Sequence, residues 1–151
     1  RGLALTKQEE ETLVRAVAAD HTNPHLLANL GYFDVTRARL GWRPHYRGDT
    51  TTAAVIALAR HCIFSSVDLS DCTITDQAIA ALAQGRKIVD ISLGRTHITD
   101  KAVIDLATGC GTTLKTVDLI CCPLVTTVAV TSLAKSCPAL TSLHISGGIS
   151  D

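Results

Sequence analysis

The sequence predicts an α/β solenoid, because a six-residue strand pattern returns four times from residue 64 onwards. Apolar residues hold positions 1, 4 and 6 of each copy, and successive copies start 24, 26 and 26 residues apart. The four copies occupy residues 64–69, 88–93, 114–119 and 140–145. Units of this kind bury their apolar edges against their neighbours, so the chain has no single globular core.

A helix is predicted after each of the first three strands and once before them. Apolar residues at i, i+1, i+4 and i+5 line one face of each helix, which must pack on the strand layer. Thr-Asp pairs at 75–76 and 99–100 are N-cap signals, whereas the Thr-Thr pair at 126–127 predicts a weaker cap. One equivalent leucine recurs in the four helices: Leu58, Leu82, Leu106 and Leu133. These patterns predict a short right-handed solenoid with parallel strands on its concave face and helices on its convex face.

Five of the six cysteines follow the same register. Cys62, Cys110 and Cys137 lie four residues after the recurrent helical leucine, and Cys72 and Cys122 lie three residues after the last strand leucine. Positions set by a repeat favour reduced thiols in an intracellular compartment over a disulfide framework.

The whole pattern resembles the cysteine-containing subtype of leucine-rich repeat, as in F-box and ribonuclease-inhibitor-like repeat families. That pattern runs roughly L-x-x-L-x-L-x-x-C-x-x-I-T-D-x-x-L-x-x-L-A-x-x-C, and the resemblance covers residues 52–151. It implies that the cysteines are small buried apolar residues. The chain departs from the pattern at Thr96, which replaces the first cysteine of the second unit, and at Thr127, which replaces an aspartate.

Residues 1–50 do not show the repeat and are predicted to form an α-helical N-terminal cap or extension. Thr6 and Glu9 form a capping box for a helix that runs to about Ala19. A second helix is predicted over residues 24–30, with a proline in its first turn and Gly31 at its end.

Residues 51–151 are predicted to hold one half-repeat, three repeats and one truncated repeat. The chain begins at Arg1 and contains no methionine, so we expect it to be processed or cut from a longer protein. The last repeat stops at 149–151, which is similar to the Ile-Thr-Asp helix signal. We expect a partner or missing residues to cover it, because terminal repeats need a cap.

An aromatic and arginine-rich segment lies before the repeats and is the first candidate for partner binding. Its residues are Tyr32, Phe33, Arg37, Arg39, Trp42, Arg43, Tyr46 and Arg47. The aromatic side chains could cap the first repeat with the arginines solvated. Alternatively the segment is a docking element, since Trp, Tyr and Arg are enriched at interface hot spots. Nucleic-acid stacking is a third interpretation, but the rest of the chain offers no basic tract.

The concave face is the second candidate for partner binding. Strand side chains alternate between faces, which predicts three outward columns, and the first two hold the candidate binding residues. These two consist of Ser66, Asp90, Thr116 and Ser142, and of Asp68, Ser92, Asp118 and His144. These columns are small, polar and mildly acidic, without lysine or arginine. The face is either an ordinary solvated sheet surface or a shallow groove that accepts a basic segment of a protein partner.

Other function classes receive little support from the sequence. Net charge is zero, with 14 basic and 14 acidic residues, which argues against general nucleic-acid binding. The longest apolar run, 53–59, is too short to span a bilayer. His21 and His25 have the spacing of a helical zinc motif, but Pro24 interrupts the helix. Neither a phosphate loop nor a nucleophile elbow is visible, so no catalytic residue, metal or cofactor is predicted.

We therefore predict a non-catalytic protein–protein interaction module or scaffold, serving as a structural or accessory subunit of a larger assembly. Short cysteine-type repeat proteins with helical N-terminal extensions resemble accessory and assembly proteins of mitochondrial respiratory complexes. The alternative is the substrate-recognition adaptor of an F-box-type ubiquitin-ligase receptor, as the repeat subtype implies. The expected location is cytoplasmic or mitochondrial.

Overall fold

The structure is a computed structural model that describes residues 4–33, 35–41, 50–146 and 149, apart from the side chains of Gly31 and Tyr32. Helices and strands alternate along most of this length. The helices are α1 (Lys7–Ala19), α2 (Pro24–Tyr32), α3 (Thr52–His61), α4 (Asp76–Ala83), α5 (Asp100–Cys110) and α6 (Thr127–Ser136). The strands are β1 (Arg37–Arg39), β2 (Ser66–Asp68), β3 (Asp90–Ser92), β4 (Thr116–Asp118) and β5 (Ser142–His144).

The five strands form one parallel sheet in the order of the sequence. Each strand pairs with the next without a shift in register, so that Val67, Ile91, Val117 and Leu143 stand side by side. Parallel neighbours need a crossover connection, and α3, α4, α5 and α6 supply the four crossovers. The predicted α/β solenoid is confirmed.

Strand β1 lies in a part of the chain that we expected to stand outside the repeat. Residues 37–39 nevertheless pair in parallel register with residues 66–68. Val35, Ala38 and Leu40 reproduce positions 1, 4 and 6 of the strand pattern and are at most 4% exposed. With α3, β1 completes the unit that was predicted as a half-repeat. A separate N-terminal cap, as we predicted for residues 1–50, therefore excludes β1. That α1 and α2 form such a cap stays a prediction.

The core is one continuous apolar layer between the sheet and the helices. The four recurrent helical leucines are at most 5% exposed. Val14 and Val17 of α1 and Leu30 of α2 cover the β1 end of this layer. At the β5 end, Leu140 and Leu143 are only partly buried. One end of the repeat stack is thus closed by helices, and the other is partly open.

Hydrogen bonds at the helix N-termini join successive repeats. An Asp76 carboxylate oxygen accepts the Thr99 N–H at 2.8 Å, and the other accepts the Thr99 hydroxyl at 2.5 Å. Asp100 accepts the Thr126 N–H and hydroxyl in the same way, at 2.7 and 2.6 Å. The Thr-Asp pairs therefore tie each helix to the next repeat, besides placing an acid in its first turn.

The predicted caps differ in detail from this arrangement. The Thr75 side chain makes no capping hydrogen bond, because its N–H and hydroxyl both contact the Thr52 hydroxyl, at 2.7 and 3.2 Å. Thr126, where we predicted a weaker cap, accepts the Val128 N–H at 3.2 Å. Helix α6 nevertheless has no acidic residue in its first turn, so the weaker cap at residues 126–127 stays a prediction, although Asp100 orients Thr126 from the preceding repeat.

The two N-terminal helices begin as predicted, but the second one is longer. Thr6 and Glu9 form the capping box, with the Thr6 N–H donating to the Glu9 carboxylate at 2.9 Å. Helix α2 continues through Gly31, where we expected it to end. The Phe33 N–H still donates to the Asn29 carbonyl at 3.1 Å, so the last turn remains hydrogen-bonded. A single glycine costs only about 1 kcal/mol in a helix, which tertiary packing offsets.

All six cysteines are free. Four are buried and Cys62 is half-buried, as the repeat register predicted, whereas Cys121 is exposed. The Cys72 thiol lies 3.2 Å from the Leu40 carbonyl oxygen inside the core. Burial raises the pKa values of Cys62 and Cys72 to about 12. These thiols act as small core residues.

Candidate functional site

The sheet face turned away from the helices carries two rows of side chains, and we call it the concave face. The first row consists of Arg37, Ser66, Asp90, Thr116 and Ser142, and the second of Arg39, Asp68, Ser92, Asp118 and His144. Neighbours in a row lie about 4.8 Å apart, because that is the spacing of paired strands. The structure thus brings the eight predicted sheet residues together and adds two arginines from the other predicted segment.

The concave face is charged differently along its length. Both outward positions of β1 are arginines, whereas the charged residues of β2, β3 and β4 are Asp68, Asp90 and Asp118. Before β1 was assigned to the sheet, we regarded this surface as mildly acidic without arginine. It is instead basic at its first strand and acidic over the next three. The spacing of Val35, Ala38 and Leu40 was the signal in the sequence that could have revealed this.

Local hydrogen bonds hold two of the three aspartates in place. One Asp118 oxygen accepts the Ile120 N–H at 2.9 Å, and the other lies 3.3 Å from the Ser92 hydroxyl. Asp68 accepts the Ser70 N–H at 3.1 Å and the Ser70 hydroxyl at 2.7 Å. Asp90 is exposed and takes part in no ion pair among the described residues. In the acidic part of the face, hydrogen bonds therefore orient the carboxylates of Asp68 and Asp118, whereas the carboxylate of Asp90 is exposed.

Glu10 anchors the basic end of the face from behind. Its side chain is 2% exposed, and one oxygen accepts the N–H groups of Thr36 and Arg37 at 2.5 and 2.7 Å. The other oxygen pairs with the Arg37 guanidinium at 2.5 Å. The burial of Glu10 was not predicted from the sequence. Residues 10, 14 and 17 share one helical face, which could have indicated that Glu10 is buried.

A recess of about 240 Å³ opens beside this ion pair. It is lined by Lys7, Glu10, Glu11, Arg37, Arg39 and Ser66. Both glutamates are already engaged, Glu10 with Arg37 and Glu11 with Arg15 at 2.6 Å. Lys7 and Arg39 are exposed, and neither takes part in an ion pair among the described residues. The recess therefore presents uncompensated positive charge.

The predicted aromatic and arginine-rich segment does not act as one unit in the described residues. Phe33 is partly buried against the core, which agrees with a capping role. Arg37 and Arg39 belong to the concave face instead. Trp42, Arg43, Tyr46 and Arg47 lie outside the described residues, as does the side chain of Tyr32. A docking role for those five residues stays a prediction.

The turns that follow β2, β3 and β4 each carry, at the same repeat position, a residue with a positive φ angle. Asp71, Arg95 and Cys121 have φ values of 61°, 57° and 55°. The Arg95 guanidinium donates two hydrogen bonds to Asp71 across the repeats, at 2.8 and 2.7 Å. These bonds lower the pKa of Asp71. Cys121, which had no assigned place in the repeat, thus occupies the exposed turn after β4.

We expect Cys121 to be the first cysteine alkylated when native protein meets iodoacetamide at about pH 8, because the thiolate is the reactive form. Cys62 and Cys72 should react much more slowly, since burial raises their pKa values to about 12. Peptide mapping by mass spectrometry over time measures the order. In urea all six should react alike, and modification of native Cys72 as fast as Cys121 would contradict the burial described above.

The concave face also contains a serine–histidine contact. The Ser142 hydroxyl lies 3.0 Å from His144 Nε2, and Asp118 neighbours His144 in the sheet register. Asp118 is engaged by Ser92 and Ile120, and His144 is exposed on the last strand. A catalytic serine needs a base oriented by a third group in a site that excludes water, and this arrangement provides neither feature.

Within the described ranges, no group of three or more His, Cys, Asp or Glu side chains is arranged to hold a metal ion. No helix in those ranges has both the length and the apolar character needed to cross a bilayer.

Comparisons with known proteins agree with the repeat geometry. The leucine-rich repeat family model matches residues 64–83, which contain β2 and α4. Among solved structures, the chain is similar to leiomodin-1 actin-binding site 2, with a TM-score of 0.59 and 15% identity over 82% of this chain and 78% of that one. This likeness shows the fold alone. A search of curated proteins found no match.

The leucine-rich repeat fold is typical of proteins that bind other proteins. Leucine-rich repeats are typically non-enzymatic interaction modules, and stacked repeats present extended surfaces for protein partners. The repeated strand pattern, the in-register parallel sheet and the two similarities together show that the chain has a leucine-rich repeat fold.

Proposed function

We propose that this protein is a non-catalytic interaction module, built into a larger assembly as a structural or accessory subunit, and that it holds its partner on the concave face. The observation that carries the proposal is the continuous open surface of ten polar side chains on five in-register strands. Three carboxylates and two guanidinium groups on this surface provide charge for specific recognition.

Exposed apolar side chains beside helix α6 support a permanent place in an assembly. Leu124 and Val128, near the start of α6, are 49% and 56% exposed. Exposed apolar surface of this kind favours a lasting protein contact over a freely exchanging one. This favours the accessory-subunit role over the F-box-type adaptor.

Reversing one concave-face charge is expected to weaken partner binding. For Asp90→Lys we expect a loss of about tenfold in affinity, because the exposed carboxylate is replaced by a cation in the centre of the surface. The measurement is titration of the variant with the co-purified partner at two salt concentrations. Asp105→Lys, on α5, changes the net charge equally on the other side of the molecule and serves as the control.

Gentle purification of the full-length protein from its natural source tests the assembly role. Identification of the co-purifying chains and size analysis should show a large complex with partners in a fixed ratio. A free monomer with exchangeable partners below a one-to-one ratio would instead favour the adaptor. Unchanged affinity of Asp90→Lys would show that the concave face is not the site.

A further inference from the structure

Some charges on the concave face and beside it make no ion pair within the described residues, whereas Arg37 on the same face is paired with Glu10. Among the residues that the structure describes, ion pairs join Glu11 to Arg15, Glu10 to Arg37, Asp71 to Arg95, and Asp105 to Lys101. Lys7, Arg39, Asp90 and Asp118 take part in no ion pair within the described residues. Cations without an ion pair therefore lie at the β1 edge, where Arg39 stands beside Asp68 in the sheet register. Carboxylates without an ion pair lie on β3 and β4, and the Arg95 guanidinium interacts with Asp118 only at longer range.

The regular sheet fixes the distance between these opposite charges. Arg39 and Asp118 belong to the same row, three strands apart, which corresponds to about 14 Å at the usual strand spacing. An extended peptide advances about 3.3 Å per residue, so four residues cover this distance. Side chains four residues apart in an extended chain also point to the same side. Spacings of three or five would turn one of the two side chains away from the sheet.

The recess at the β1 edge favours a carboxylate as the first contact. Its volume of about 240 Å³ suits one acidic side chain, and Lys7 and Arg39 provide the cations. Arg37 is already neutralised by Glu10, so it shapes the recess and adds little net charge. At the other contact, Asp118 is held in place by the Ile120 N–H, and Asp90 lies beside the path on the neighbouring strand.

We propose that the partner presents an extended segment that crosses the strands, with an Asp or Glu side chain in the recess and an Arg or Lys side chain four residues away against Asp118 and Asp90. This inference rests on the proposed function, because it specifies what the concave face recognises. The polarity excludes a uniformly basic segment as the preferred ligand, since Lys7 and Arg39 would repel one of its charges.

Synthetic peptides test the spacing directly. The probes are twelve-residue Gly/Ser/Thr peptides that carry one Glu and one Arg at separations of two to six residues, in both orders, titrated into isotope-labelled protein at low salt. By amide chemical shifts, separation four should bind at least about fivefold more tightly than separations two and three, with changes in β1, β3 and β4. Equal binding at all separations, tighter binding of a peptide with two arginines, or no binding by any peptide would overturn the inference.

A variant with reversed charges at the recess should bind a different peptide more tightly. Damaged folding would weaken binding of every peptide and could not produce this result. Lys7→Glu combined with Arg39→Glu should prefer the peptide with Arg in place of Glu, reversing the order of affinities. Arg60→Glu, an exposed residue on α3, is the control and should keep the original order. If Asp90→Lys weakens the natural partner while the peptides show no preference, the proposed function stands and this inference alone fails. If neither responds, both fail.

Discussion

Replacing Glu10 with alanine is expected to lower the free energy of unfolding by about 3 kcal/mol. The carboxylate is 2% exposed and accepts the N–H groups of Thr36 and Arg37. Its loss leaves two backbone donors without a partner, and each buried unsatisfied donor costs about 1 to 3 kcal/mol. The Arg37 guanidinium is 36% exposed and can turn to water, so it adds little to the loss. Urea unfolding followed by circular dichroism measures the change.

Two further glutamate variants make this prediction specific. Glu11→Ala removes the neighbouring carboxylate of α1, whose pair with Arg15 is partly exposed and which accepts no backbone N–H among the described hydrogen bonds, and should cost only about 0.5 kcal/mol. Glu10→Gln keeps an acceptor of similar shape and should fall between the two. If Glu10→Ala were no more damaging than Glu11→Ala, the attachment of α1 to β1 would be wrong.

Replacing Leu106 with alanine is expected to cost about 3 to 4 kcal/mol. This side chain has no exposed area and belongs to α5, which packs between α4 and α6. The cavity would lie in a central repeat, where both neighbouring interfaces depend on it. Because stacked repeats are stabilised mainly by contacts between neighbours, the unfolding transition should also become broader. Urea unfolding monitored by circular dichroism reports both quantities.

Leu143→Ala is the matched control, since it removes the same atoms from the partly open end of the stack. We expect a cost of about 1 kcal/mol for this chain, because the Leu143 side chain is only partly buried. Equal costs for Leu106→Ala and Leu143→Ala would contradict the difference in burial between the two leucines.

The regular part of this fold could be read from the sequence, because each repeat buries the same positions. The pattern over residues 64–69 and its copies predicted β2 to β5, and the recurrent leucines predicted one buried position in α3 to α6. Such positions are visible in a single sequence because their environment returns every 24 to 26 residues.

The N-terminal part was harder to predict, because its contacts are unique. β1 has alanine at position 4 and arginines on both sides, so its pattern is weaker than the others. Glu10 accepts hydrogen bonds from Thr36 and Arg37, which lie 26 and 27 residues away in the sequence. Local sequence patterns cannot predict such long-range contacts. The same limit applied to Asp76 and Asp100, whose partners lie in the following repeat.

The sequence predicted the polar residues of the candidate surface, but not the change from basic to acidic charge along it. Alternation along the strands identified the eight polar residues of β2 to β5, since outward positions follow from the inward ones. The basic edge required β1, and the recess required the position of α1 beside it. Whether the eight sheet residues and the described arginines bind a partner stays a prediction.

The most direct test of the account is hydrogen exchange of the protein with and without its co-purified partner. We predict that partner binding slows amide exchange in β1 to β4 and in the turn before Lys7, while the exposed faces of α4 and α5 are unchanged. Protection confined to the helices, with the strands unchanged, would contradict the assignment of the concave face as the binding surface.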